Sequence, residues 1–311
     1  MKAIFFRLVA LLVGLTCVVA LMSKLLNNSR DTGSLTMQPH EARIAEVYNS
    51  LASDRQSPSF VRSEQDNGCA CYHMGILFPW DNQEIYKQYA HDTKKALKFI
   101  HSLELNRNYY GFLFLNNPTV ETRVLDAGCG AGVAAILIHK MFNCSVDGYA
   151  LGEKEIEYAK DIAAQHHSSD KLQFFQGNMA HLPIKDSLYD VIWVSESSEY
   201  VESLQDLFKE FKRVGKNNTR LVVFATCAKT VQGKDAVDNA YRVHLHEHAD
   251  YLASAQQHGF KIAHQQNLRD WVVPYWDLVM VSQEQHGEKI LAQAFLSGDV
   301  DYHLFCFDLK K

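Results

Sequence analysis

The chain has 311 residues, a net charge of −5 and 47% hydrophobic content. At roughly 100–200 residues per domain, that length allows one large domain or two small ones, with enough apolar mass for a real core. The lack of a basic excess excludes a binder that tracks nucleic-acid phosphates, and seven cysteines are too few and too odd in number for a disulfide scaffold, which points to a reducing compartment.

From Ala3 to Met22 the chain is apolar apart from Arg7 and Thr16, with Lys2 and Lys24 at its flanks. A bilayer span needs about 20 such residues, so residues 3–22 fit a membrane anchor that holds the body of the chain at a cytoplasmic face. A cleaved signal peptide, an amphipathic arm or a mis-assigned start fits the same pattern, and a soluble protein is then the alternative. Positive charges on the two flanks balance, so they set no orientation. Residues 27–38 are polar and read as a linker. The expected organisation is therefore an anchor and linker over 1–35, a helical cap over 36–120 and a main domain over 121–311.

Residues 82–103 carry apolar positions at helical spacing and predict one amphipathic helix. TRVLDAG follows as a short β-branched strand, VAAILIHKMF as a helix, SVDGYAL as a strand and EKEIEYAKDIAAQHH as a helix. KLQFFQGN and YDVIWVSES are two more strands, LQDLFKEFKRVG a helix closed by Gly215, and TRLVVFATCAK a fifth strand. This order requires right-handed crossovers and predicts an α/β fold, a mostly parallel sheet covered on both faces. A helix near 249–258, a strand near 261–268, a helix near 286–296 and a strand over 301–309 complete it with one antiparallel strand.

The sharpest signal is VLDAGCGAG, residues 124–132. Asp126 closes the first strand, and Gly128, Gly130 and Gly132 follow at every second position. Such glycines let the backbone approach a ligand at a helix amino terminus. A dinucleotide fingerprint spaces its last two glycines by two residues, not one. The acid at the strand end favours a ligand with an ammonium group over a pyrophosphate. A tight turn with no ligand is the plain alternative.

VLDAGCGAG and QGNMAHLPIKDSLYDVIWV together resemble the nucleotide-binding and central motifs of class I S-adenosylmethionine-dependent methyltransferases. The resemblance implies a Rossmann-like, seven-stranded sheet with the cofactor across the ends of its first two strands. Asp126, Gly128, Gly130, Gly132, Asn178 and Met179 are the cofactor residues it implies. Many members end the second strand in an acid that holds the ribose hydroxyls. Here that strand runs Gly148-Tyr149-Ala150-Leu151-Gly152 without one. This variant resembles the carbon-methylating subset, the cyclopropane fatty acid synthases and prenyl methyltransferases, whose next turn reads T-L-S-x-x-Q. Glu155 replaces the glutamine and is the ribose candidate; a solvated acid serving the helix dipole is the other reading.

A narrower resemblance spans residues 40–311. VYNSLASD, ACYHMGI, SESSEYVESLQDLFKEFKR, FATCAK, LHEHADYL and VPYWDL are similar to the geranyl diphosphate 2-C-methyltransferases and their farnesyl relatives. Where that family reads N-E-S-T-x-Y-V-D, this chain has Ser195 to Glu202, keeping the acid, the serine and the tyrosine. The resemblance implies methyl transfer to an alkene carbon of an isoprenyl diphosphate, with magnesium held chiefly through the diphosphate oxygens. Cyclisation and a homo-oligomer are left open.

An alkene is a weak nucleophile, so the site must hold it in line with the sulfonium methyl in a dry pocket. The tertiary cation that results needs an aromatic face, and a carboxylate must then remove the adjacent proton. Glu196 is assigned as base or cation stabiliser, with Tyr72 and Tyr241 as the aromatic partners that the resemblance implies. Tyr200 and Trp276 are read as either pocket wall or core. Asn49 and His73 are candidates for the diphosphate or the magnesium waters, against an ordinary loop hydrogen bond. His246 matches a family histidine in the alternating run His244, His246, His248. That run and the trio Cys69, Cys71, His73 lack the spacing of a closed zinc site. The rival readings are a methyltransferase of another acceptor and a non-catalytic cofactor-binding subunit.

Overall fold

A computed structural model of the protein describes residues 37–53, 73–81, 89, 92–165, 170–282 and 289–311. The segment 3–22, expected as an anchor, lies outside these residues. Among the described residues, no helix is long and apolar enough to cross a membrane.

Among the described residues, two helices precede the sheet: α1 (Pro39–Ser53) and α2 (Thr93–Phe112). The helix expected over 82–103 instead starts at Thr93, where the Asp92 side chain accepts from the Lys95 amide at 3.1 Å and caps it. Residues 82–88 lie outside the description. The alternating body then follows as β1 (Arg123–Ala127), α3 (Val133–Phe142), β2 (Ser145–Ala150), α4 (Glu153–Gln165), β3 (Leu172–Gln176) and β4 (Tyr189–Ser195). A single turn, Ser198–Tyr200, leads to α5 (Leu204–Val214) and β5 (Gly215–Ala228). Ser203 caps α5 by accepting from the Asp206 amide at 3.1 Å.

The carboxyl-terminal part adds α6 (Val231–Tyr241), β6 (His246–Glu247), α7 (His248–Gln257), β7 (Phe260–Asn267), α8 (Arg269–Ser282), α9 (Lys289–Ser297) and β8 (Val300–Leu309). Three helices have no counterpart in the sequence reading: α1, α6 and α8. In α8 the interior Pro274 breaks the helical signal, because proline removes an amide donor.

The strands form one sheet in the order β3-β2-β1-β4-β5-β8-β7. Strands β1 to β5 are parallel, and β8 runs antiparallel to both β5 and β7. The two-residue β6 pairs with the end of β5, through Cys227 and Ala228, and makes an eighth strand where seven were expected.

Side chains alternate between the two faces of each strand, as the pleat requires. Val124, Val146, Trp193 and Phe224 point to the side covered by α2, α3, α4, α8 and α9. Leu125, Tyr149, Ile192 and Val223 point to the side covered by α5 and α7. Both faces of the central strands are therefore dry, whereas the edge strand β7 is largely exposed. The order reverses between β1 and β4, where β1 connects outward to β2 and β4 lies on its other side. Ligands of open α/β sheets sit beyond the strand ends at such a reversal.

Candidate active site

A cavity of about 400 Å³ lies there, beyond the ends of β1, β2 and β4 and under α1. Asp126 closes β1 at its floor, fully buried. Its Oδ2 accepts from the Ala135 amide in the first turn of α3 at 3.1 Å. Burial pushes this carboxyl up to about 7, against the pull of the Ala135 amide and the Arg107 guanidinium. A cationic ligand beside it would restore its charge.

The glycine loop is shaped as much by packing as by any ligand. The amides of Gly128 and Cys129 both donate to the Tyr149 carbonyl, at 2.8 and 2.9 Å, so they are spent on β2. Gly128 has φ +78°, and a Cβ there would lie 2.2 Å from Ser197 Cβ. The loops after β1 and β4 thus touch, and the Ser197 hydroxyl donates to the Ala127 carbonyl at 2.7 Å. Gly130 has φ +49° and lines the cavity, where a Cβ would stand 3.3 Å from Glu155 Oε1. Gly132 starts α3 against Phe174 and is not among the cavity-lining residues.

Glu155 sits in the first turn of α4 but is buried and faces the cavity, not solvent. Burial pushes its carboxyl up to about 8. Asn178 and Met179 line the same cavity from the loop after β3. Asn178 Oδ1 accepts from the Ala180 amide at 2.8 Å. The far wall is α1: Glu41, Ile44 and Tyr48 all line it, and the Tyr48 hydroxyl hydrogen-bonds the Tyr200 hydroxyl. Their rings meet edge to face at 5.5 Å. Asn49 turns the other way, accepting from the Lys154 amide at 2.8 Å and so pinning α1 to α4.

Glu196 follows β4 directly and holds φ +51°, a left-handed conformation that side chains rarely adopt. It lines the cavity. Its Oε1 accepts from the Tyr302 hydroxyl at 2.5 Å, and the Met74 amide lies 3.2 and 3.1 Å from Oε1 and Oε2. Arg107 Nη2 stands 3.7 Å from Oε1. Burial raises the Glu196 pKa, while Arg107, Tyr302 and the Met74 amide oppose the rise. His73, also in the wall, has both ring nitrogens engaged: Nε2 with Asn108 Nδ2 at 2.8 Å and Nδ1 with the Met74 carbonyl at 3.2 Å. Burial and the Arg107 charge keep it neutral, so Nδ1–H donates and Nε2 accepts.

The remaining expected residues are dispersed. Tyr72 lies outside the described residues, as do Cys69 and Cys71. Tyr241 ends α6, and its hydroxyl accepts from the Leu291 amide at 3.3 Å, which turns it towards α9. Trp276 is buried in α8 and stacks on Phe295 with centroids 5.8 Å apart. His246 donates from Nε2 to the Val201 carbonyl at 3.0 Å, bracing the cavity wall from behind, and burial pushes its pKa down to about 4. Among the described residues, no group of three His, Cys, Asp or Glu side chains could hold a metal ion. Sequence reasoning missed Tyr48, Glu41, Arg107 and Tyr302. Tyr48 stood inside VYNSLASD; the other three carry no local signal.

Residues 118–293 match the family described as "Methyltransferase domain". The chain belongs to that methyltransferase family. Its acid-and-glycine cavity fits S-adenosylmethionine, and it is an S-adenosylmethionine-dependent methyltransferase of class I. The methyltransferase is 28% identical over 275 residues to a geranyl diphosphate 2-C-methyltransferase of Saccharopolyspora erythraea, covering 86% of this chain and 94% of that protein. A sterol 24-C-methyltransferase of Gibberella zeae is 28% identical over 171 residues, 50% of this chain and 45% of that protein. In three dimensions it superposes with a TM-score of 0.78 on the geranyl diphosphate C-methyltransferase of Streptomyces coelicolor, solved with Mg2+, geranyl-S-thiolodiphosphate and S-adenosyl-L-homocysteine. That match covers 88% of this chain and 99% of the other at 22% identity, which shows a shared fold.

Proposed function

We propose that the enzyme transfers a methyl group from S-adenosylmethionine to an alkene carbon of an isoprenyl diphosphate, geranyl or farnesyl, which enters as its magnesium complex. The observation that carries this reading is the half-buried carboxylate of Glu196 in the cavity wall, in a chain similar over most of its length to a geranyl diphosphate 2-C-methyltransferase. An oxygen or nitrogen acceptor attacks through its own lone pair and gives up an O–H or N–H proton. A carbon acceptor leaves a carbocation, and a positioned carboxylate must then take a C–H proton from the adjacent carbon.

When bound, S-adenosylmethionine supplies an electrophilic methyl on a sulfonium. Asp126 would face its ammonium end, and Glu155 its ribose hydroxyls. Gly130 leaves room between them. Tyr48 and Tyr200 close the cavity and exclude water, which strengthens every charge interaction inside. As the alkene carbon takes the methyl, positive charge develops on its neighbour, and the Tyr200 ring would offer a π face worth roughly 0.5–2 kcal/mol. Glu196 then accepts the adjacent proton, whose C–H electron pair becomes the new double bond. Tyr241 and Trp276 are left to packing, and His73 holds the Met74 segment against Glu196.

The test is incubation with labelled cofactor, magnesium and a panel of prenyl diphosphates, sterols and phenols. Label in geranyl or farnesyl diphosphate, on carbon, is the expected result. Label appearing only in another acceptor would overturn the reading.

A further inference from the structure

Arg107 is fully buried in α2, yet none of its three side-chain nitrogens makes a hydrogen bond within the described residues. A guanidinium carries five N–H donors and is costly to bury unsatisfied. What faces it is specific. Its Nη2 lies 3.7 Å from Glu196 Oε1, and its central carbon lies 4.9 Å over the centroid of the Phe224 ring. On the other side Tyr302, buried on β8, stacks on Phe224 and donates its hydroxyl to the same Oε1. Phe224 in turn offers its carbonyl to the Glu196 amide at 2.9 Å. Two distant segments, α2 and β8, thus converge on one carboxyl oxygen, while β5 holds the Glu196 backbone.

The two oxygens of Glu196 are not equivalent. The Met74 amide is shared between them, at 3.2 Å from Oε1 and 3.1 Å from Oε2, but only Oε1 also accepts from the tyrosine hydroxyl and faces the guanidinium at 3.7 Å. We propose that Arg107 and Tyr302 are positioning residues that anchor Glu196 through Oε1 and keep it negatively charged, leaving Oε2 as the oxygen that receives the proton. The C–H bond breaks, its electron pair forms the double bond that quenches the cation, and the proton moves to Oε2. Glu196 becomes neutral and returns the proton to water when product leaves. This inference rests on the reading of Glu196 as base given above.

Physics supports both parts. Burial disfavours the charged carboxylate and pushes the Glu196 pKa up, away from the form that acts as a base, so a nearby cation has something to offset. The other groups facing it do not supply the missing charge. His73 is neutral, Tyr200 and Tyr302 are un-ionised phenols, and Glu199 adds a like charge where it ionises. Arg107 is the cation among them, helped by the hydrogen bonds of Tyr302 and the Met74 amide, and at 3.7 Å without a hydrogen bond it leaves the acceptor lone pairs free.

The experiment is the pH profile of turnover at saturating cofactor and acceptor for Arg107→Met, Arg107→Lys and Tyr302→Phe. Loss of the cation should move the acid limb upward by about 1–3 pH units, so turnover below the limb falls roughly tenfold per unit and recovers in alkali. Arg107→Lys should restore most of the limb, and Tyr302→Phe should move it less than Arg107→Met. A uniform loss at every pH, with the limb unmoved in both Arg107→Met and Tyr302→Phe, would show a packing role and overturn the proposal. A second readout needs no acceptor: the carboxylate infrared band of Glu196, identified by its absence in Glu196→Gln, titrated in the cofactor complex. If prenyl diphosphates are not methylated while this titration moves in Arg107→Met and Tyr302→Phe, the coupling stands and the substrate assignment fails. An unmoved titration sinks the coupling whatever the substrate. Should Arg107→Met not fold, the Tyr302→Phe titration decides.

Discussion

Glu41 on α1 accepts a 2.5 Å hydrogen bond at Oε1 from Asn178 Nδ2, in the loop after β3. Both side chains line the cavity, so the bond spans it from lid to floor. The Tyr48–Tyr200 hydrogen bond and a 3.5 Å approach of His40 to Glu202 repeat the closure at two further points. A hydrogen bond to a charged group contributes about 1.5–3 kcal/mol. Glu41→Ala should therefore keep the fold, since α1 covers the sheet without forming its core, and should weaken cofactor binding by about tenfold, equivalent to ~1.4 kcal/mol. Calorimetric titration against wild type checks it; equal affinity would mean that α1 is no part of the cofactor wall.

Cofactor affinity should depend on pH through Asp126. Its carboxyl ionises at about 7 in the empty protein, and the ammonium group of the cofactor favours the charged form. The bound protein thus holds fewer protons than the free one. Affinity is full above the free pKa and falls as pH drops below about 7, by up to about tenfold per unit. Calorimetry at pH 6 and pH 8 reads this directly, and proton release on binding near pH 7 should accompany it.

Stability of the empty protein should fall as pH rises from 6.5 to 8. Three buried acids ionise high in the folded state: Asp126 and Glu199 at about 7 and Glu155 at about 8, all pushed up by burial. Their pKa values exceed the unfolded ones, so the folded state binds more protons in this window, and the stability this gives is lost as pH passes each folded pKa. His246 and His303, lowered to about 4, act in the opposite direction but only between about 4 and 6.5. Each acid contributes on the order of 1 kcal/mol across the window. Urea midpoints at both pH values test this, and added cofactor should flatten the difference.

Gly130→Val should abolish cofactor binding in a folded protein. The position holds φ +49° and lines the cavity, and even a Cβ would crowd Glu155 Oε1 at 3.3 Å. Normal binding by a folded variant would place the cofactor elsewhere.

The legible part of this molecule was the part governed by local periodicity. The VLDAGCGAG turn, the five parallel strands and the amphipathic α5 follow from alternation and from helical spacing, so their positions were readable in the chain. The Gly128–Ser197 contact was not, because it joins residues far apart that meet only when β1 and β4 pair. The convergence on Glu196 was hidden for the same reason: Arg107 reads as one more charged position in a helix, and Tyr302 as one more aromatic in a strand. Helix α8 was obscured by Pro274, and α1 by its mixed polarity, since one side faces a ligand cavity and not a core. Site residues that act through tertiary contact leave no spacing to read.

The central claim is that Glu196 removes the proton from a carbocation formed by methylation of an alkene. Glu196→Gln keeps the shape and hydrogen bonding of the side chain but removes its charge and basicity. Mass-spectrometric product analysis of this variant with the prenyl diphosphate that wild type accepts, beside cofactor titration, tests it most directly. Turnover should drop by about 10²–10⁴-fold while cofactor affinity stays near wild type, and the longer-lived cation should escape to a shifted double bond, a water adduct or a ring. Wild-type rate with a single wild-type product would contradict the account.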